Sequence, residues 1–369
     1  MRSTGIINRL PLTDTSLVNY YGRNYITNDK VTFLNTSSGF EVCFTGKELR
    51  AVFTRRGCGP VGGEEIAPAT LLRLRVYRDG DMSAENSTVV VLDESTDGKE
   101  IVLASFDTEG SHRVLMRKMN YEWWGYAELL SLSTDGGFLP APAKPAKRIL
   151  VYGDSITAAY GVEYAATGDA GGDVPEKEDG TRAWAALFAD AYGADITEYC
   201  ISGVSIGVPC WREKPIMWDN IWRQYAFFDT GSDYDMEHDI PDLVLCNLGS
   251  NDNGGLADGL SNFGNGTAYA PAGHYTRADL EKAYADFIAA MKGLYPHAPV
   301  ILGYGMLGTG PDVMGALYDA VAACGYPDVY ALNFTTVEYS ANAGHPTLAG
   351  QEDGYRQLMK FVRDNGITF

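Results

Sequence analysis

The chain reads as two domains. Residues 1–139 are expected to form a β-sandwich of the jelly-roll kind. Residues 148–369 are expected to form an α/β/α domain with a mostly parallel sheet, after a proline-rich linker at 140–147. Three observations predict this. The 369 residues exceed what one hydrophobic core comfortably fills. The hydrophobic pattern changes from strict alternation to short apolar runs interleaved with helical spacing. The change falls at Leu139-Pro140-Ala141-Pro142-Ala143-Lys144-Pro145, where three prolines favour a stiff, extended connector.

Before that seam, period-2 alternation dominates. Phe40, Val42 and Phe44 share one face of their segment. In Leu72-Arg73-Leu74-Arg75-Val76-Tyr77 the aliphatic residues face one way and the arginines the other. Similar runs lie at 88–92, 100–106, 113–116 and 126–132, separated by Asp79-Gly80, Asp97-Gly98 and Asp135-Gly136-Gly137. Many short strands with turn residues between them predict a sandwich or jelly roll.

After the seam, Ile149-Leu150-Val151-Tyr152, Leu243-Val244-Leu245-Cys246 and Val300-Ile301-Leu302 are apolar throughout, as in parallel strands buried on both faces. Thr276 and Asp279 form a capping-box pattern, and Leu280, Tyr284, Phe287, Ile288, Met291 and Leu294 follow at helical spacing. A last helix is expected over 348–362. Strands alternating with helices place a site beyond the carboxyl ends of the strands.

A net charge of −19 argues against nucleic acid or an anionic membrane as partner and is compatible with a neutral substrate such as sugar. No apolar run of about 18 residues is present. The first eleven residues lack a secretory-signal pattern, which points to the cytoplasm, or to export if a leader has been removed. Cys43, Cys58, Cys200, Cys210, Cys246 and Cys324 are scattered and lack metal-ligand spacing. Cys43 and Cys246 fall in strand-like runs, where buried thiols are expected.

Four segments carry usable chemistry. Gly153-Asp154-Ser155-Ile156-Thr157 follows the run ending at Tyr152, so Ser155 stands at the sheet's carboxyl edge. A hydroxyl there is a nucleophile only with a base in reach; the same residues also suit Asp154 as a helix cap. Leu248-Gly249-Ser250-Asn251-Asp252 follows a second run. The Asn251 carboxamide can donate to an oxyanion, or the segment can be a plain turn. In Ile201-Ser202-Gly203-Val204 the glycine can turn its N–H into the crevice, or simply make a turn. Gly344-His345-Pro346-Thr347 precedes the final helix. His112 lies in the β half, and His238, His274 and His297 lie in polar loops or at a helix end.

The order Ser, Gly, Asn, His, with these strand-end settings, resembles the SGNH (GDSL-type) hydrolase superfamily of serine esterases. The resemblance implies Ser155 as nucleophile and His345 as general base. It implies an oxyanion hole from the backbone N–H groups of Ser155 and Gly203 plus the Asn251 side chain. A β-sandwich joined to such a domain is similar to carbohydrate esterase family 2. Gly22-Arg23, Phe44-Thr45-Gly46 and the stretch from Gly153 to Tyr160-Gly161 carry that similarity. It implies removal of O-acetyl groups from mannan, xylan or their oligosaccharides through an acyl-enzyme, without metal or organic cofactor. A lipase or thioesterase of the same superfamily and a catalytically silent carbohydrate-binding protein are the alternatives.

The chain departs from the superfamily beside the histidine. The usual acid stands three or two residues earlier, where this chain has Asn342 and Ala343. Family 2 includes members with a Ser–His dyad whose histidine is held by a backbone carbonyl, and this chain is read as one. Glu338 is a weaker orienter, and Asp154 and Asp252 read as loop-bracing acids. A rival nucleophile exists. Gly203-Val204-Ser205-Ile206-Gly207 matches the nucleophile elbow of α/β-hydrolases, but Pro209 and Pro215 spoil the helix that elbow requires. Tyr160, Trp211, Trp218 and Trp222 are candidate substrate contacts; Trp218 and Trp222 also sit at helical spacing suited to a core.

Overall fold

Alternation in the N-terminal half builds an antiparallel sheet, and the apolar runs of the C-terminal half build a parallel one. In a computed structural model of the chain, residues 8–60, 63–167, 172, 174–228, 233–258, 260–261, 268–270 and 273–369 are described. The chain divides into two units, Met1–Pro145 and Ala146–Phe369.

In the first unit, ten strands among the described residues are hydrogen-bonded into one sheet. Its spine is the strand Gly39–Arg56. Val18–Tyr21 pairs with its first half, Tyr126–Thr134 with its second, and Glu100–Lys118 runs along both. Alternation alone predicts a β-sandwich of the jelly-roll kind with separate strands at 100–106 and 113–116. The two runs belong to one 19-residue strand, Glu100–Lys118, and the ten strands are linked in a single antiparallel sheet. Register shifts at Gly46/Glu48 and Leu49/Arg50 mark bulges that bend it. Gly46 takes φ +122°, and a Cβ there would strike Asp135 Oδ1. That oxygen accepts the N–H groups of Lys47 (2.8 Å) and Glu48 (3.1 Å), which the bulge frees from the ladder. Phe40, Val42, Phe44, Leu72, Leu74 and Val76 face the core, as the alternation predicts. Cys43, expected buried, is half-buried on the opposite face. The proline-rich stretch is tied to this unit. Phe138–Leu139 pairs with Gly39–Arg56, and Pro142 accepts from Asn19 Nδ2 at 2.7 Å.

In the second unit the parallel strands are β1 (Arg148–Gly153), β2 (Asp195–Cys200), β3 (Leu243–Asn247), β4 (Val300–Tyr304) and β5 (Val329–Asn333), in the order β2-β1-β3-β4-β5. All of β3 is buried although its side chains alternate, so both faces of the sheet are covered. The helices that cover them are α1 (Trp184–Ala191), α2 (Ser250–Asp258), α3 (Arg277–Leu294), α4 (Pro311–Ala323) and α5 (Leu348–Asp364). α1 packs with α5, and α3 with α4. The capping box of α3 is formed: the Thr276 N–H donates to Asp279 at 2.8 Å. From β1 the chain steps outward to β2, then crosses to β3 on the other side. That reversal is the switch point beyond which α/β sheets hold their ligands.

Among the described residues, no helix is long and apolar enough to cross a membrane and no group of side chains could hold a metal ion.

Candidate active site

β1 ends at Gly153 and the chain turns at once. Asp154 Oδ1 accepts the Ile156 N–H (2.9 Å), and the Tyr160 N–H reaches back to the Ser155 carbonyl (3.0 Å). Asp154 therefore braces a turn, and the turn presents Ser155 at the switch point. Buried Ala159 closes this turn at φ +57°. That conformation costs an L-residue about 1–2 kcal/mol, the kind of strain that collects at functional sites.

His345 arrives from the loop before α5. Its Nε2 lies 2.6 Å from Ser155 Oγ and its Nδ1 2.6 Å from the Ala343 carbonyl. A carbonyl can only accept, so Nδ1 carries the proton and Nε2 is left to accept from the serine hydroxyl. Burial holds the imidazole below its ordinary value of 6.5, and the Ala343 carbonyl offsets part of that shift. The ring thus stays neutral near pH 7, as a base must be. Neither Asn342 nor Ala343 brings a carboxylate; the backbone of Ala343 does the orienting. Glu338 accepts from the Thr347 hydroxyl (2.5 Å) at the N-cap of α5.

Two residues that the sequence did not single out hold this arrangement. Buried Ser340 Oγ accepts the N–H groups of Asn342 (3.1 Å) and Ala343 (3.3 Å), while its own N–H donates to the His345 carbonyl (2.8 Å). The Ala343 carbonyl is aimed by that closed loop. Gln351, buried in α5, donates to the Ile156 carbonyl (2.8 Å) and accepts the Trp184 N–H (2.9 Å). It ties the helix after His345 to the turn that carries Ser155. A fully buried polar side chain must find partners, and Gln351 finds both of its own here.

The loop after β2 is clamped from several sides. Gly203 has φ +83°, and a Cβ there would lie 2.9 Å from that of Trp211. Asn251, in the first turn of α2, donates Nδ2 to the Val204 carbonyl (2.8 Å) and, at longer range, to Asp154 Oδ2 (3.4 Å). Asp252 accepts the N–H groups of Ile206, Gly207 and Val208 at 3.0, 2.9 and 2.7 Å. Burial pushes Asp154 up to about 7, with the nearby Asp252 charge adding to it. Burial pushes Asp252 up to about 6, against the pull of its three N–H donors.

The rival serine has no such company. Ser205 is buried, and its hydroxyl has no hydrogen-bond partner among the described residues. No helix follows it before Trp218. The aromatic candidates divide. The Tyr160 ring lies against His345, centroids 4.9 Å apart. Trp211 is 48% exposed beside Gly203, and Trp218 is 38% exposed with its ring against Tyr275. Trp222 is a correction: at 5% exposure it has no face left to stack on a sugar. The helical spacing of Trp218 and Trp222 is also broken, because Asp219 and Asn220 between them take φ of +52° and +57°.

The profile of the GDSL-like lipase/acylhydrolase family matches residues 151–352, a span that contains Ser155, Gly203, Asn251 and His345. The chain belongs to this family. Among curated relatives, it is 27% identical over 259 residues to an acetylxylan esterase/glucomannan deacetylase of Cellvibrio japonicus, covering 67% of this chain and 63% of that protein. It is 26% identical over 264 residues to the cellulase/esterase CelE of Acetivibrio thermocellus, covering 68% of this chain and 29% of that one. The matched region thus spans less than two thirds of either relative's length. Among solved structures, a family two carbohydrate esterase from Cellvibrio japonicus superposes with a TM-score of 0.79 at 21% identity, covering 98% of each chain. One from Clostridium thermocellum in complex with cellohexaose gives 0.76 at 20%, covering 94% of this chain and 98% of that one. An acetyl xylan esterase from Butyrivibrio proteoclasticus gives 0.76 at 18%, covering 97% and 98%. At these identities the likeness establishes the fold, which extends over both units.

Proposed function

We propose that this member of the family is a serine esterase that removes O-acetyl groups from plant polysaccharide, mannan or xylan, or from oligosaccharides derived from it. The observation that carries the reading is the 2.6 Å approach of His345 Nε2 to Ser155 Oγ, with Nδ1 committed to the Ala343 carbonyl. In this dyad His345 takes the Ser155 proton as the oxygen attacks the ester carbonyl. The N–H groups of Ser155 and Gly203 receive the oxyanion, joined by the Asn251 amide hydrogen that leaves its long bond to Asp154. The sugar hydroxyl leaves with the proton from His345, and water, deprotonated by the same nitrogen, then releases acetate. The dyad replaces a triad because a backbone carbonyl fixes the tautomer that a carboxylate otherwise fixes. The acetylxylan esterase/glucomannan deacetylase relative supports the choice of substrate, and exposed Trp211 and Trp218 suit the apolar faces of sugar rings.

The test is acetate release from acetylated glucomannan and acetylated xylan, beside nitrophenyl esters of increasing chain length. Acetate release with a preference for short acyl chains is expected. A preference for long chains would turn the reading to a lipase or thioesterase. Glycan binding without hydrolysis would turn it to a binding protein.

A further inference from the structure

Ser202 and Gly203 share one peptide group. In a trans peptide the C=O and the N–H point in opposite directions, so whatever fixes the Ser202 carbonyl also fixes the direction of the Gly203 N–H. The Ser202 carbonyl accepts from Arg212 Nε at 3.1 Å. The Arg212 guanidinium lies over the ring of buried Phe228, 5.2 Å from its centroid, which holds it in place. Trp211, the residue before Arg212, sets its Cβ 2.9 Å from where a Gly203 Cβ would stand. Arg212 therefore holds the 202–203 peptide by its carbonyl, and Trp211 packs close to Gly203 on the Cβ side. A peptide flanked by glycine at φ +83° otherwise rotates at low cost.

We infer that Arg212 is a positioning residue of the oxyanion hole: its guanidinium holds the Ser202 carbonyl so that the Gly203 N–H is aimed at the developing oxyanion. This rests on the esterase reading above. A charged donor on the carbonyl also polarises the peptide and strengthens its N–H as a donor. In this role Arg212 acts through Gly203. Its effect therefore belongs in kcat, because the oxyanion exists only after attack. Loss of one oxyanion donor costs about 10²–10³-fold in kcat, and misaiming one is expected to cost about 10- to 10²-fold.

The experiment compares Arg212→Met, Arg212→Lys, Arg212→Ala and the unaltered protein in acetate release, thermal melting and crystal structure. Arg212→Met is expected to lose kcat by that factor while KM stays within about twofold, as loss of transition-state stabilisation requires. Arg212→Lys, whose ammonium can still donate to the carbonyl, is expected to recover much of the loss. Methylguanidinium in solution is expected to restore part of the activity of Arg212→Ala. Unchanged kcat in Arg212→Met would overturn the inference. So would equal losses in the Met and Lys variants that track a fall in melting temperature, since that is a purely structural role. Failure of the unaltered protein to hydrolyse any ester would defeat the functional reading alone. The crystal structure then decides for Arg212: a rotated 202–203 peptide in Arg212→Met supports the inference, and an unmoved one overturns it.

Discussion

Segments 153–157 and 203–207 look alike in sequence and do opposite things in space. Each places a serine near a glycine shortly after a parallel strand, β1 or β2. Ser155 meets an imidazole nitrogen at 2.6 Å, whereas Ser205 Oγ is buried without a hydrogen-bond partner among the described residues. The difference does not lie within either pentapeptide. It comes from a histidine 190 residues further along the chain, and from a sheet order that brings the end of β1 to the switch point. A local serine motif offers a hydroxyl; the topology decides which one meets an imidazole.

The comparison breaks most sharply by exchanging the two serines for alanine. Ser155→Ala is expected to lower acetate release by about 10⁴-fold or more, as loss of a nucleophile does. Ser205→Ala removes a buried hydroxyl that lacks a partner, so activity should stay within about twofold and urea-melt stability should hold or rise. A silent Ser155→Ala beside a dead Ser205→Ala would reverse the assignment.

Much of this was legible beforehand, and its limits are physical. The Ser155 and His345 segments are short and polar, set next to strongly apolar or helical stretches, so their places at strand and helix ends could be read. The capping box at Thr276 and Asp279 could be read for the same reason. The strand Glu100–Lys118 could not be read whole, because Asp107 to Ser111 carries turn-like residues; the register with Gly39–Arg56 shifts there, from Gly46 opposite Gly110 to Glu48 opposite Ser105. Trp222 misled as a substrate contact because nearness in sequence to Trp211 and Trp218 does not show which ring is buried; the helical spacing suited its core position although left-handed Asp219 and Asn220 break the helix. Ser340 and Gln351 matter through what they bond, and ordinary residue types give no notice of their partners.

The oxyanion side sharpens the comparison further. Asn251→Ala should lower kcat by about 10²–10³-fold with KM little changed, measured on nitrophenyl acetate. Gly203→Ala forces a Cβ to within 2.9 Å of Trp211 at φ +83°. It should destabilise the fold by about 1–2 kcal/mol in urea melts and lower kcat as well. Full activity in either variant would remove that residue from the site.

The smallest expected effect is in pH. Burial sets the His345 pKa below 6.5, so the imidazole stays neutral in the folded protein where an exposed one begins to protonate. The acid limb of kcat/KM should therefore have its midpoint below 6.5. The unfolded chain binds this proton more readily than the folded one. The His345 contribution to stability is thus complete above the unfolded value and is lost as pH falls through the folded one. An acid limb centred above 6.5 would mean that a carboxylate, and not the Ala343 carbonyl, sets the base.

The most direct measurement is labelling of the whole protein with a fluorophosphonate, followed by peptide mass spectrometry. A single adduct on Ser155, abolished in His345→Ala and unchanged in Ser205→Ala, is the predicted result. An adduct on Ser205, or none on Ser155, would contradict the dyad.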